Sequence, residues 1–218
     1  MNNILIKVEN LVKTFGGLVA LNDCSLEIKD KAITGIIGPN GSGKTTLFNV
    51  ITGNLKPDTG KVFYNGVEIT NEESHDLFHL GVLRTFQIAH EFSNMTVIEN
   101  LMVVPGNQKG EKLLYSLMNS QKIKKEDELI KDKAMEVLKF LKIEHLKNER
   151  AGNLSGGQKK LLELARTMMV DAKIVFLDEV GAGVNKTLLR DISDSILKLN
   201  QDKGCLLYTS DAADDRDS

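Results

Sequence analysis

The stretch Gly38–Thr45, GPNGSGKT, constrains this chain more than any other. It satisfies the pattern G-x-x-x-x-G-K-[ST]. It stands between an apolar run, Ala32–Gly38 (AITGIIG), and a segment of helical pattern from Lys44 to Thr52. A strand, a glycine-rich turn and a helix in that order make a cradle for phosphate. The glycines let backbone N–H groups surround phosphate oxygens without side-chain obstruction. The helix adds the positive end of its dipole at the same place. Lys44 can then reach the β- and γ-phosphates of a nucleotide such as ATP, and Thr45 can ligate Mg²⁺. A glycine-rich turn that merely precedes a helix would share the composition, but not the lysine and hydroxyl at these positions with these flanks.

The apolar run before the loop suits a strand covered on both faces. Alternation and β-branched residues predict further strands at residues 4–8, 24–28, 61–64, 83–86 and 173–178. Between Ala89 and Leu154 the pattern turns helical, with candidates at Thr96–Val104, Lys112–Met118 and Glu126–Leu141. In the last, Leu129, Ile130, Ala134, Val137, Leu138 and Leu141 form one face. This is a helical insertion in an otherwise alternating β/α chain. Lys122, Lys124 and Lys125 belong to a solvated face.

A chain of 218 residues can bury one substantial core with room for a subdomain. Hydrophobic content of 41% and charged content of 27% describe a soluble globular protein. Net charge is −2, so the surface as a whole attracts neither nucleic acid nor anionic membrane. Cys24 and Cys205 match no metal-ligand spacing and suit small apolar residues in a reducing compartment. No apolar run approaches the roughly 20 residues of a membrane helix, and MNNILIKVENL lacks a signal-peptide pattern. Work at a membrane would therefore require docking through a partner.

Asp178 ends the run KIVFLD, so its carboxylate emerges at the edge of the sheet, where it can hold magnesium directly or through water. Glu179 follows and could orient and deprotonate an attacking water. An Asp-Glu pair after a strand is a weak signal alone. With the phosphate loop upstream it supplies the second half of a nucleotide site.

Leu154–Gln158 reads LSGGQ and precedes a helical run, Lys159–Met169, with Leu161, Leu162, Ala165 and Met168 as its apolar stripe. Ser155 and the N–H groups that follow make a second anion site. Together with the phosphate loop and the Asp-Glu pair, this stretch resembles the ATPase subunit of ABC transporters. The resemblance implies an α/β fold: a P-loop NTPase sheet core with an antiparallel β subdomain and an inserted helical subdomain at about 89–155. It implies Phe15 as the aromatic residue stacking on adenine, and Gly38, Pro39, Asn40, Gly41, Ser42, Gly43, Lys44, Thr45 and Thr46 as the phosphate loop. Gln87, in RTFQ, would contact Mg²⁺ and the attacking water. Ser155, Gly156, Gly157 and Gln158 would be the signature, Asp178 a metal ligand and Glu179 the catalytic carboxylate that deprotonates the water. A head-to-tail dimer would sandwich each ATP between one chain's phosphate loop and the other's signature.

The stretches KTFGGLVALNDCSLEI, TLFN after the loop, and RTFQ leading to FSNMTVIEN resemble more narrowly the importers of branched-chain amino acids or related amides. This branch implies a second ATPase subunit, identical or paralogous, transmembrane permease subunits, an indirect link to a substrate-binding protein, and a position on the cytoplasmic face of the inner membrane. Alternatives are the ATPase of another ABC transporter, a soluble ABC protein acting on ribosomes or DNA, and a non-catalytic ATP-binding module. The compact Gln87–Leu154 spacing disfavours the soluble class.

Two departures stand out. Val180 follows Glu179 where the family has proline, a minor drift in backbone stiffness. The family also has a histidine at the end of the strand that follows helix 186–201. Here His75, His79, His90 and His145 all lie upstream, and YTSDAADD occupies the place. The expectation is a cassette spanning residues 1–205, C-terminally incomplete. Residues 206–218 would then be foreign or a disordered acidic tail, and hydrolysis by the literal chain would be impaired.

Overall fold

The computed structural model describes residues 4–84, 91–106, 120–170, 172–177, 190, 193–197, 200 and, as backbone, 205–211. The chain divides into two compact units, Met1–Gln87 with Ala172–Ala182 and Ile196–Ser218, and Ile88–Asp171 with Gly183–Ser195.

The first unit holds two sheets. Strands β1 (Ile4–Phe15) and β2 (Leu18–Lys29) form a long hairpin closed at Phe15 and Leu18. With β4 (Thr59–Tyr64) and β5 (Val67–Glu68) they build a four-stranded antiparallel sheet in the order β2-β1-β4-β5. The hairpin strands run well beyond the expected 4–8 and 24–28. The reason lies at Asn10 and Asp23, which sit at φ 50° and 53° beside shifts in the pairing register. Asn10 donates its backbone N–H to Ser25 Oγ at 2.8 Å and its side-chain amide to Asp23 Oδ1 at 2.6 Å. Such bulges break the apolar alternation while the strand continues.

The second sheet is parallel, in the order β3-β8-β7-β6: β3 (Ile33–Gly38), β8 (Cys205–Asp211), β7 (Ile174–Leu177) and β6 (Val82–Arg84). Strand β8 pairs with β3 from Ile33↔Leu206 to Gly38↔Asp211. The described part of the expected tail is therefore strand rather than disorder. Strand β3 also departs from expectation. Ile36 packs on the core, but Ile33 and Ile37 are 41% and 71% exposed. Among the described residues, only one face of this apolar run is packed against the core.

Helix α1 (Lys44–Ile51) buries Leu47, Phe48, Val50 and Ile51. They join one core cluster with Ile6, Val8, Leu11, Ile28 and Val62 of the antiparallel sheet and Ile174 and Phe176 of β7. Phe48 meets Phe176 edge-on, with centroids 5.1 Å apart at 71°. Arg84, at the end of β6, donates to Asn49 Oδ1 on α1. A short helix α2 (Ser74–His79) follows β5 and carries His75 and His79, both exposed.

In the second unit lie α3 (Val97–Met102), α4 (Ser120–Phe140) and α5 (Gly156–Met168), with 3₁₀ turns at Glu144–Leu146 and Ala151–Asn153. A capping box between Thr96 and Glu99 starts α3. Asn100, fully buried, accepts from Phe92 N at 2.8 Å and donates to Phe92 O at 3.1 Å and Thr96 O at 2.9 Å, fixing the entry to α3. Lys133 Nζ donates to Met169 O at 2.9 Å, tying α4 to the end of α5. Helix α4 starts earlier than the expected Glu126, and Leu129 is 71% exposed rather than part of the buried face. At about 100° per residue, Leu129 lies roughly 120° from the centre of the stripe made by Ala134, Val137, Leu138 and Leu141. The expected helix at 112–118 lies outside the described residues.

This geometry separates two leucines of one helix. Leu138→Ala should lower unfolding free energy by about 2–5 kcal/mol in denaturant titration, while Leu129→Lys should change it by less than about 0.5 kcal/mol.

Candidate functional site

Strand β3 ends at Gly38 and α1 begins at Lys44, so the intervening turn is suspended between a sheet and a helix anchored by Phe48. Two backbone bonds shape the turn: Ser42 N–H to Pro39 O at 3.2 Å and Leu47 N–H to Gly43 O at 2.8 Å. Gly43 has φ 89°, and a Cβ there would lie 2.4 Å from the carbonyl oxygen of Ala20 on β2. Only glycine permits both the left-handed backbone and that approach. No side chain caps the first turn of α1. The turn thus presents a helix N-terminus without a side-chain acceptor of its own, an arrangement suited to an anion.

Lys44 Nζ lies over the turn and donates to Gly38 O at 2.6 Å and Pro39 O at 3.0 Å. Beside it is a cavity of about 280 Å³, bordered by Asn40–Thr46 on one side and by Phe15, Leu18 and Val19 on the other. Phe15 is 49% exposed, so its ring faces solvent-accessible space beside the phosphate turn. An aromatic face, a lysine and an uncapped helix start around one cavity fit a nucleoside triphosphate: base on the ring, phosphates on the turn. Gly38 and Pro39 stand behind the cavity and supply carbonyls to Lys44. Gln87, Asp178 and Glu179 lie outside the described residues. Among the described residues no group of three His, Cys, Asp or Glu could hold a metal. Thr45 lines the cavity, and its hydroxyl has the hard oxygen chemistry that magnesium requires.

The signature residues belong to the second unit. Ser155 is the N-cap of α5, and the two ends of Ser155–Gln158 hold each other: Gln158 N–H donates to Ser155 Oγ at 3.4 Å, and Ser155 N–H to Gln158 Oε1 at 2.9 Å. Gly157 is buried, while Ser155 and Gly156 are exposed. The role of Gln158 as the return arm of a capping box was available in the S-x-x-Q spacing. Glu91, its side chain 8% exposed, pairs with Lys159 Nζ at 2.7 Å. Burial alone would raise its carboxyl, but the Lys159 hydrogen bond and charge, with a backbone N–H and the Ser93 hydroxyl, together outweigh this and leave it below the usual range. Arg166, further along α5, lies over the Phe92 ring at 5.4 Å; burial lowers its guanidinium.

The sequence reading overlooked a cluster behind Phe15. The Asp58 carboxylate accepts from Lys13 Nζ at 2.8 Å, Thr14 N at 2.7 Å and Thr14 Oγ1 at 2.6 Å. The Lys13 bond, followed by those from Thr14, holds Asp58 down to about 2. No local pattern signals it, since Asp58 and Thr14 lie 44 residues apart in the chain.

The sequence profile described as ABC transporter matches residues 21–182. The chain belongs to the ABC transporter family. It is 45% identical over 197 residues to a protein of Archaeoglobus fulgidus named "Probable branched-chain amino acid transport ATP-binding protein LivG", covering 90% of this chain and 76% of that one. Among solved structures, the ADP conformation of an ATP-binding cassette of an ABC transporter matches with TM-score 0.80 and 43% identity, over 95% of this chain and 81% of the other. A dimeric bacterial ABC transporter cassette matches with TM-score 0.75 and 25% identity, over 94% and 88%. As an ABC cassette, the chain has its parallel sheet, antiparallel sheet and helical unit in agreement with the fold expected from the sequence.

Three outcomes follow for this ABC cassette. Gly43→Ala should abolish ATP binding measured by calorimetry, since the methyl group cannot fit beside Ala20. Ser155→Ala should cost about 0.5–2 kcal/mol of stability in denaturant titration. Because Asp58 has a lowered folded pKa, its clamp is present above the ordinary 3.8 and is lost as pH falls through about 2. A carbon-detected NMR titration of that carboxyl should give a midpoint near 2.

Proposed function

We propose that this chain is the ATP-binding and ATP-hydrolysing subunit that energises a membrane importer of branched-chain amino acids or related small amides. The observation that carries the reading is the cavity between Phe15 and the uncapped start of α1, with Lys44 lying over the turn. The named relative at 45% identity supports the substrate class. No helix among the described residues is long and apolar enough to cross a membrane. In this reading coupling to transport runs through separate permease subunits, with the cassette at the cytoplasmic membrane face.

In this reading the Gly38–Thr46 loop binds the triphosphate through the backbone N–H groups of Asn40–Thr46, and Phe15 stacks on the base. Lys44 exchanges its carbonyl partners for β- and γ-phosphate oxygens. Thr45, Gln87 and Asp178 would hold magnesium, which when bound supplies a positive charge shared by the β- and γ-phosphates. Gln87 orients the attacking water, and Glu179 accepts its proton. Ser155, Gly156, Gly157 and Gln158 contact the nucleotide of a second cassette, identical or paralogous. The dimeric cassette among the structural relatives supports that arrangement. ATP closes the pair because it binds the closed dimer more tightly than the open one, and hydrolysis releases that preference.

One observation favours a second reading, an ATP-binding module of slow turnover. Strand β8 ends with Asp211 in register with Gly38, and it carries no histidine. Loss of one positioned catalytic group costs about 10²–10⁴-fold in rate.

Calorimetry with MgATP tests the binding reading. Wild type should bind, and Lys44→Ala should weaken binding about 10- to 100-fold, the worth of a charge-assisted bond. Unchanged affinity would refute the assigned role of Lys44. Glu179→Gln should retain ATP and accumulate dimers in size-exclusion chromatography. Steady-state phosphate release, with a variant carrying Asp211→His for comparison, separates the two readings: a gain with histidine supports slow turnover, and equal rates exclude it.

A further inference from the structure

The strongest cluster outside the phosphate turn is the one behind Phe15. Its pieces come from two segments far apart in the chain. Helix α1 ends at Ile51, and the loop to β4 brings Asp58 back against the end of β1. There Asp58 donates its backbone N–H to Val12 O at 2.9 Å. Its carboxylate accepts from the side chain of Lys13 and from both the backbone and the hydroxyl of Thr14. A single residue thus bonds Val12, Lys13 and Thr14 in succession, and the next residue is Phe15. Lys13 Nζ, held by this carboxylate, lies 5.8 Å from the Phe15 ring centroid.

Gly60 makes the approach possible. It has φ 94°, and a Cβ there would lie 2.5 Å from Asn10 O and 2.6 Å from Glu9 O. Strand β4 therefore crosses β1 at closest range two residues beyond Asp58. The pairing of β1 with β4 shifts register between Glu9 and Val12 and ends at Val12↔Thr59, whereas the pairing with β2 continues to Phe15↔Leu18. Beyond Val12 the ladder therefore holds β1 on its β2 side only, and the bonds from Asp58 hold Lys13 and Thr14 on the β4 side. Phe15 itself is 49% exposed, so its ring is placed by its strand more than by its own packing.

We propose that Asp58 is a positioning residue for nucleobase recognition: by clamping Lys13 and Thr14 it holds the Phe15 ring in the plane that a purine stacks against. The proposal rests on the reading of the cavity as a nucleotide site. It assigns Asp58 to the base and not to the phosphates, which the turn after β3 holds through its own backbone. The carboxylate holds the Lys13 ammonium over the Phe15 ring, and the ring in turn lines the cavity beside the phosphate turn.

Because the clamp acts on one end of the ligand, the test compares two ligands. Inorganic tripolyphosphate carries the phosphates without a base; ATP carries both. Calorimetry on the full chain should show Asp58→Ala weakening ATP about fivefold or more, the scale of one base–aromatic stack, with tripolyphosphate unchanged. Phe15→Ala should give a similar loss. In the double variant Asp58→Ala, Phe15→Ala the losses should not add, because both remove the same contact. Should Asp58→Ala fold poorly, Asp58→Asn keeps an acceptor for Thr14 while dropping the charge that holds Lys13, and should show a smaller loss confined to ATP.

Equal weakening of ATP and tripolyphosphate would overturn the proposal, since the residue would then be supporting the whole site. Additive losses with Phe15→Ala, or no loss at all, would overturn it too. If wild type binds neither ligand, the nucleotide reading itself fails and takes this proposal with it. Wild-type binding with an indifferent Asp58 sinks the proposal alone.

Discussion

The proposed nucleotide site depends on a helix start that the chain leaves open. Helices α3 and α5 each begin with a reciprocal capping box, Thr96 with Glu99 and Ser155 with Gln158. Helix α1 begins instead at a left-handed glycine with no side-chain acceptor. An uncapped start is a local cost of about 1 kcal/mol relative to a good cap. The cost is borne because the rest of α1 is locked in place. Its lower face is fully buried, and Phe48 meets Phe176 of β7 edge-on. The N–H groups are therefore held in one direction before any anion arrives, and little reorganisation is needed when it does.

The same anchoring explains how distant parts of the sequence act on one cavity. Ala20 of β2 approaches Gly43 so closely that no other residue fits there. The loop from the end of α1 returns to β1 at Asp58. The antiparallel sheet is thus more than an appendage of the parallel one. It limits the phosphate turn from one side and carries the aromatic ring on the other. In the helical unit, the signature turn is stabilised from within by Ser155 and Gln158, and Glu91 ties Lys159 to the segment before α3. Ser155 and Gly156 stay exposed while Gly157 is buried, which leaves an outward edge on an internally braced turn.

Much of this was legible in sequence. The phosphate loop, the helix behind it, the β7 run and the signature helix all have local patterns, and the corresponding elements lie where those patterns placed them. Legibility failed wherever a feature needed a partner far along the chain. The β1–β2 hairpin was read short, since bulges at Asn10 and Asp23 interrupt alternation without ending the strands. Leu129 was assigned to a buried face by its chemistry, although its angular position on α4 points away. Strand β3 was expected to be covered on both sides, yet Ile37 is exposed. The aspartate-rich stretch after Leu206 was set apart by composition, but its backbone to Asp211 completes a ladder between β3 and β7.

By itself, the sequence determined which atoms can grip a triphosphate, because glycines, a lysine and a hydroxyl at fixed spacing act through bonds within a few residues of one another. It also determined where α3 and α5 start, since their capping-box spacings are equally local. Only the tertiary structure decided what stands around that grip: the Ala20 carbonyl against Gly43, the Phe48–Phe176 contact, and Asp58 reaching across to Lys13 and Thr14. Those pairs are brought together by strand pairing and core burial, whose energies belong to the whole folded unit and leave no mark on either partner's local pattern.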